Sequence, residues 1–355
     1  MKPNIRIKDI ALKANVSTGT VDRVLHNRGK VNEKVKEKVL KIISEMKYEP
    51  NFIARALSSN KTYHLAALIP DYTFDSYWLA PQSGIERAEK DLGKFGVQVQ
   101  QLKFNPFDVH SFIAAANKIS DINPDGILLS PIFYREVLPF FETWKEQGIP
   151  FVLFNTQIAE FDPLSYIGQD SYQSGFLAAK LIHYGTPQPS SVLIVHIDEE
   201  ISNAAHLLKK EQGFRNYFLH NKLTGRYNII KIELKPSDIT SLKAQLNEVF
   251  ENTPDLNAIF VTTSRAHEIA KYVIENITRH INIVGYDLLP QNVYYLNKDR
   301  ISFLINQNPK GQGYWGIHQL VDHLVFKKEV APIKFLPLDI VTKENLNYYI
   351  DEDTI

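Results

Sequence analysis

Carboxylates, side-chain amides and flat aromatic rings recur at one kind of place in this chain of 355 residues, just past short apolar runs. Asp71, Asp75, Tyr77 and Trp78 follow Leu65 to Ile69, Ser130-Pro131 follows Ile127 to Leu129, and Asn155 follows Phe151 to Phe154. Later, Gln169-Asp170, Thr262-Thr263, Gly285-Tyr286-Asp287 and Asn306-Gln307 close similar stretches. Oxygen acceptors take hydroxyl hydrogens, and the C–H face of a sugar lies on a ring, so the set suits a polyhydroxylated ligand. Taken singly, each of these residues reads first as a cap or turn residue. Catalytic patterns are missing: no Gly-x-x-x-x-Gly-Lys-Ser/Thr loop, His-Glu-x-x-His pair or Gly-x-Ser-x-Gly elbow occurs. His183 and His267 fall in helical patterns as surface or packing residues, and the expectation is a protein that is not an enzyme. The absence of cysteine excludes disulfides, thiolate metal sites and thiol nucleophiles.

A second set of candidates sits near the N-terminus. Ile7, Ile10, Ala11 and Ala14 mark one face of a short helix, and Asn15-Val16-Ser17 is a turn in which Ser17 can cap a second helix with Val21, Val24 and Leu25 as its apolar face. Two short helices joined by so tight a turn make a helix-turn-helix, whose second helix enters the major groove of DNA. Thr18, Gly19, Asp22 and Arg23 then face outward. An arginine there can fork onto guanine, worth about 1–3 kcal/mol of discrimination; a phosphate contact or an ion pair with Asp22 is the alternative. A third helix, capped by Asn32, packs through Val35, Val39, Ile42, Ile43 and Met46, with Lys34, Lys36, Lys38 and Lys41 around that stripe and Tyr48-Glu49-Pro50 beyond its end.

The elements that must position the first set are apolar runs alternating with helical patterns from residue 62 onward. Leu65 to Ile69, Ile127 to Leu129, Phe151 to Phe154, Val192 to Ile197, Ala258 to Val261, Ile281 to Val284 and Phe303 to Ile305 read as buried strands; Ile85 to Phe95, Ser171 to Tyr184 and Ile317 to Phe326 read as helices. Nearly 300 residues of such alternation exceed one sheet, so the expected fold is an all-α head followed by an α/β body of two lobes with parallel, helix-covered sheets. Ligands of open α/β sheets bind past the carboxyl ends of the strands. Composition is that of a globular protein, 44% hydrophobic and 23% charged, and the zero net charge hides an asymmetry. Residues 1–62 hold 14 basic and 6 acidic side chains; the remainder holds 26 and 34. A basic head on an acidic body fits a polyanion partner, though a solvated helix face gives the same count. The start Met1-Lys2-Pro3-Asn4-Ile5-Arg6 is no signal peptide and no apolar run spans a bilayer, so the expectation is a cytoplasmic protein with no membrane partner.

These blocks resemble the lactose-repressor/galactose-repressor (LacI/GalR) family. The likeness runs through Ile7-Lys8-Asp9-Ile10-Ala11, Val16 to Leu25, Tyr48-Glu49-Pro50-Asn51 and Ala54-Arg55-Ala56-Leu57. In the body it continues through Tyr77-Trp78 with Gly84, Asp125-Gly126-Ile127, Gln169-Asp170, Gln212-Gly213-Phe214, Gly285-Tyr286-Asp287 and Gln307 to Gly313, in the order of a periplasmic sugar-binding fold. The resemblance implies a homodimer, or a tetramer, repressing from operator DNA under control of a monosaccharide or related sugar, with no other cofactor. A sugar-binding receptor without DNA regulation is the alternative.

The implied organisation is a DNA-binding domain over 1–50, a hinge helix and linker over 51–61, and an effector-binding and dimerisation domain over 62–355. The implied DNA-facing residues are Ser17, Thr18, Gly19, Thr20, Arg23, Asn27, Arg28, Lys34, Asn51, Ala54, Arg55 and Leu57. The family's leucine at this last position wedges into the minor groove; by itself, Leu57 reads as a docking residue for the next domain. Asp75, Tyr77, Trp78 and Asn155 are implied to line the sugar site from the first lobe, and Lys210, Thr263, Asp287 and Gln307 from the second. Departures from the family pattern are Asp22 for a frequent serine, Gly19 for a base-reading side chain, Lys210 for a forked arginine and Thr263 for asparagine. The aromatic pair leans toward a pentose or hexose.

Overall fold

Asn15 takes left-handed backbone, φ 56°, and ends α1 (Ile7–Ala14). Three residues later α2 (Thr18–Leu25) begins, and α3 (Glu33–Met46) closes over both. Ile10, Ala11, Ala14, Val21, Val24, Val39 and Ile42 form the core of this bundle, with Val35, Ile43 and Met46 half-buried around it. A Lys13–Glu45 ion pair at 3.1 Å ties α1 to the end of α3. The structure is a computed structural model that describes residues 5–25, 28–46, 56–57, 61–158, 160–197, 205–235 and 238–349, the side chains of Ala205 and Ile239 excepted. The backbone divides into two units, Met1–Ser59 and Asn60–Ile355.

The larger unit holds two sheets built to one plan. The first has the order β11-β5-β4-β3-β1-β2, from β1 (Tyr63–Pro70), β2 (Val97–Phe104), β3 (Gly126–Leu129), β4 (Phe151–Phe154), β5 (Ser165–Gly168) and β11 (Ile333–Phe335). The second has the matching order β12-β10-β9-β8-β6-β7, from β6 (Ser190–Ile197), β7 (Tyr227–Leu234), β8 (Leu256–Val261), β9 (Asn282–Tyr286), β10 (Phe303–Asn306) and β12 (Asp339–Val341). Every described pairing is parallel except β10 with β12. β3, β4, β6 and β9 are buried along their whole length, as helices on both faces require. The edge strands β2 and β7 each expose three of their eight positions and carry no apolar run longer than two residues, so they do not stand out by hydrophobicity.

Three connections pass between the lobes. β5 leads into α7 (Ser171–Gly185) of the second lobe, β10 leads back into α12 (Pro309–Leu324) of the first, and β11 leads across to β12. The helical reading over Ile85 to Phe95 is displaced: α4 runs Leu79–Leu92 and a 3₁₀ turn follows. The reading over Ile317 to Phe326 likewise lacks the polar start of α12, where Asn308 accepts from Gly311 N at 2.9 Å. In the second lobe α7 packs on α8 (Ala205–His220) closely enough that a Cβ at Gly175 would collide with the Lys210 carbonyl, and one at Gly213 with the Tyr172 carbonyl. Glycine is therefore required at both positions for this contact.

Candidate functional site

In the N-terminal unit the start of α2 is set by its own side chains. Ser17 Oγ accepts from Thr20 N at 3.1 Å and pairs with the Thr20 hydroxyl at 2.9 Å, leaving Thr18 and Gly19 exposed in the first turn. Arg23 is exposed one turn on, and its Nε donates to the Gly19 carbonyl at 3.2 Å, a bond that does not use the terminal amino groups. Lys34 N donates to Asn32 Oδ1 at 3.0 Å, so the expected cap of α3 is present and Lys34 sits exposed in its first turn; Arg28 is exposed as well. Of the remaining DNA-facing candidates, Asn27, Asn51, Ala54 and Arg55 lie outside the described residues, while Leu57 has helical backbone and an exposed side chain.

In the larger unit the candidates converge at the carboxyl ends of the strands. Asp75 accepts from Tyr77 N at 3.1 Å and so caps the 3₁₀ turn Ser76–Trp78 that follows β1. That turn drives Tyr77 and Trp78 inward, the rings meeting edge to face at 4.9 Å, with Trp78 also against Phe154 of β4. Just past β4, Asn155 takes left-handed backbone (φ 66°) and donates through Nδ2 to the Tyr77 hydroxyl at 2.7 Å. Its carbonyl accepts from the Tyr166 hydroxyl at 3.2 Å, which also reaches the Gln169 carbonyl at 3.1 Å, where the chain leaves β5 for the other lobe.

The second lobe contributes a buried polar chain. Lys210, 2% exposed, donates to the Thr262 carbonyl at 2.9 Å and to Gln307 Oε1 at 3.4 Å, with its ammonium 3.6 Å from the centre of the Tyr286 ring. Gln307 donates through its side-chain amide to Asp287 Oδ2, which also accepts from Ser264 Oγ at 2.6 Å. Behind these groups, Asn292 donates to the carbonyls of Ser264, Tyr286 and Asp287 and fixes the ends of β8 and β9 together. Thr262 is held from below by His196, which bonds Thr262 Oγ1 at 2.7 Å and Glu211 at 2.8 Å. The lobes face each other across these sets: the charge of Asp287 acts on Tyr77, and that of Asp75 on His267.

Burial sets the protonation behaviour of the site. It pushes the Lys210 amine down to about 7 against the opposing pull of Asp287, and it raises Asp287 despite Ser264, Lys210 and Gln307. Desolvation, then Asp287, holds the Tyr77 phenol well above its ordinary range, so Tyr77 is a neutral hydrogen-bonding group. Three buried oxygens at this edge have no hydrogen-bond partner: Ser130 Oγ past β3, Gln169 Oε1 past β5 and Thr263 Oγ1 past β8. Buried polar atoms are seldom left so, and hydroxyls brought by a ligand would satisfy them. No group of three or more His, Asp or Glu side chains arranged for a metal occurs among the described residues.

All eight effector candidates therefore lie along this edge, and Lys210, in place of the family's forked arginine, is engaged by protein acceptors. Ser264, Asn292 and His196 bond to this polar chain without having been singled out from the sequence. Tyr286 was visible as a strand-end residue, whereas Asn292, inside the helix Pro290–Asn297, has no local signal because its partners are backbone carbonyls brought near by folding.

A three-helix DNA-reading bundle with a two-lobed α/β body, its polar groups gathered where the strands end, defines a ligand-responsive DNA-binding regulator. The comparisons agree. Residues 6–51 match the bacterial regulatory proteins of the lacI family, and residues 66–328 match the periplasmic binding protein domain. The chain is 23% identical over 339 residues to the HTH-type transcriptional regulator MalR of Streptococcus pneumoniae, covering 91% of this chain and 99% of that one. It is 22% identical over 301 residues to a sucrose operon repressor of Pediococcus pentosaceus, covering 81% and 82%. A crystal structure described as that of a LacI transcriptional regulator from Bacteroides fragilis superposes with a TM-score of 0.75 at 31% identity, covering 82% of this chain and all of that one. The chain belongs to the LacI family of bacterial regulatory proteins and is a DNA-binding transcription regulator.

Proposed function

We propose that this regulator is a cytoplasmic repressor, without enzymatic activity, that acts as a homodimer on a pseudo-palindromic operator and releases or engages it in response to a small sugar held between the two lobes. The observation that carries the sugar reading is the presence of unpartnered buried oxygens at Ser130, Gln169 and Thr263, past the ends of β3, β5 and β8, at the same strand-end edge as Tyr77, Trp78, Asn155, Asp287 and Gln307. The name of the Pediococcus relative, a sucrose operon repressor, agrees with it. In this reading residues 1–50 read DNA, 51–61 link the parts and 62–355 sense the sugar and dimerise. Ser17, Thr18, Gly19, Thr20, Arg23 and Arg28 meet the duplex, with Lys34 on phosphate. No helix among the described residues is long and apolar enough to cross a membrane.

A sugar shifts the lobes only through its different affinity for two arrangements of them, and the three connecting segments are where such a shift is absorbed. Trp78 gives a direct test, because a sugar stacked beside it alters its emission. Titration with common pentoses and hexoses is expected to change the intrinsic fluorescence saturably, and Trp78→Phe to abolish that change. A flat titration with every sugar, confirmed by calorimetry, would overturn the reading.

A further inference from the structure

In the N-terminal unit the exposed arginine of α2 has two backbone neighbours that fix the run of its side chain. Its Nε donates to the Gly19 carbonyl at 3.2 Å, one turn back on the same helix. The second neighbour is Gly29, in the segment that follows α2: a Cβ there would lie 3.6 Å from Arg23 Cδ, in van der Waals contact with the arginine stem. Gly29 has φ 68°, a left-handed backbone that glycine takes freely and asparagine tolerates, but that a β-branched residue does not. The same segment is anchored to Arg23 itself, because Arg28 N donates to the Arg23 carbonyl at 2.9 Å. The chain is thus tied to the backbone of Arg23 and then passes along its side chain.

These contacts decide which edge of the guanidinium is on offer. A guanidinium makes two parallel bonds either through Nε and one terminal nitrogen or through both terminal nitrogens. With Nε bonded to Gly19, the terminal pair is the two-bond edge left, and it suits the O6 and N7 of a guanine. A stem already held in place also loses less rotamer freedom when the helix meets DNA. Gly19 brings no side chain to the first turn of α2, so discrimination there falls on Thr18 and Arg23. We infer that Gly29 is a positioning residue for operator reading: its left-handed turn, together with the Gly19 carbonyl, aims Arg23 without touching the duplex. The inference rests on the assignment of α2 as the DNA-reading helix and deepens it by naming what sets the direction of its arginine.

Two measurements on the full-length protein test it. In the first, a duplex is selected from random sequences, each base pair of its half-site is varied in turn, and affinities are read by anisotropy at fixed salt. The wild type is expected to prefer guanine at one position by about 5–150-fold. Arg23→Lys is expected to erase that preference and Gly29→Val to remove most of it, while each changes binding to a scrambled duplex by less than about threefold. Gly29→Asn, which keeps the left-handed turn, is expected to retain the preference. In the second, the Nε–H resonance of Arg23 is followed in the DNA-free wild type, assigned by its loss in Arg23→Lys. Its order parameter is expected to lie above about 0.6. A lower value in the wild type, or a guanine preference that Gly29→Val leaves intact, would overturn the positioning assignment and leave DNA reading standing. An Arg23→Lys loss spread evenly over all duplexes would overturn it too, by placing Arg23 on phosphate. Equal binding of selected and scrambled duplexes by the wild type would instead sink the assignment of α2 as a reader of sequence, and the role of Gly29 with it.

Discussion

At the scale of single residues the regulator places its chemistry in groups whose neighbours decide their behaviour. Lys210 has its amine lowered to about 7 by burial, well below the value of an unfolded chain. Between those two values the unfolded chain binds more protons than the folded one, so this lysine makes stability rise as pH increases from about 7 toward 10. The thermal midpoint of the wild type, minus that of Lys210→Met, is expected to climb over pH 7 to 9; a pH-independent difference would contradict the buried, deprotonating lysine. Ser17 acts in the head through a single cap, and Ser17→Ala is expected to cost about 1 kcal/mol in urea unfolding of that unit and to weaken duplex binding. Both residues could be singled out in the sequence, for different reasons. Ser17 sits three residues before its partner, so its role is local; Lys210 bonds a carbonyl 52 residues away, and only family likeness pointed to it.

At the scale of elements, close helix contact sets where the site residues fall. Gly213 lies one helical turn past Lys210 and allows α7 and α8 to meet backbone to backbone. A methyl group there meets a carbonyl that cannot move aside, so Gly213→Ala is expected to lower stability by about 1–3 kcal/mol and to weaken sugar binding by displacing Lys210. Unchanged melting and binding would show that the contact is not needed. The same scale explains what could be read beforehand. Central strands such as Val192 to Ile197 are covered on both faces and appear as unbroken apolar runs, whereas Val97–Phe104 and Tyr227–Leu234 lie at sheet edges and alternate with polar residues. The order of strands within each sheet is a tertiary property that no local pattern carries. The three-helix head was legible almost entirely, because its caps, turn and apolar stripe are all local.

At the scale of the whole molecule the two sheets repeat one strand order and are joined by three segments, a construction suited to small changes in lobe angle. The basic residues are concentrated in the first 62 positions, and phosphate contacts made by them release counterions. Duplex affinity is therefore expected to fall steeply as salt rises from 50 to 200 mM, with a slope reduced by about one unit in Lys34→Ala if that residue touches phosphate. The central claim is that sugar and operator are coupled through one protein. Its most direct test is fluorescence anisotropy on a labelled duplex selected from random sequences, at fixed salt, with and without a sugar already shown to bind. The expected result is tighter binding to the selected duplex than to its scrambled form, and an affinity that the sugar changes by about 5–150-fold. Equal binding of selected and scrambled duplexes, or an affinity that a saturating sugar leaves unmoved, would contradict the account.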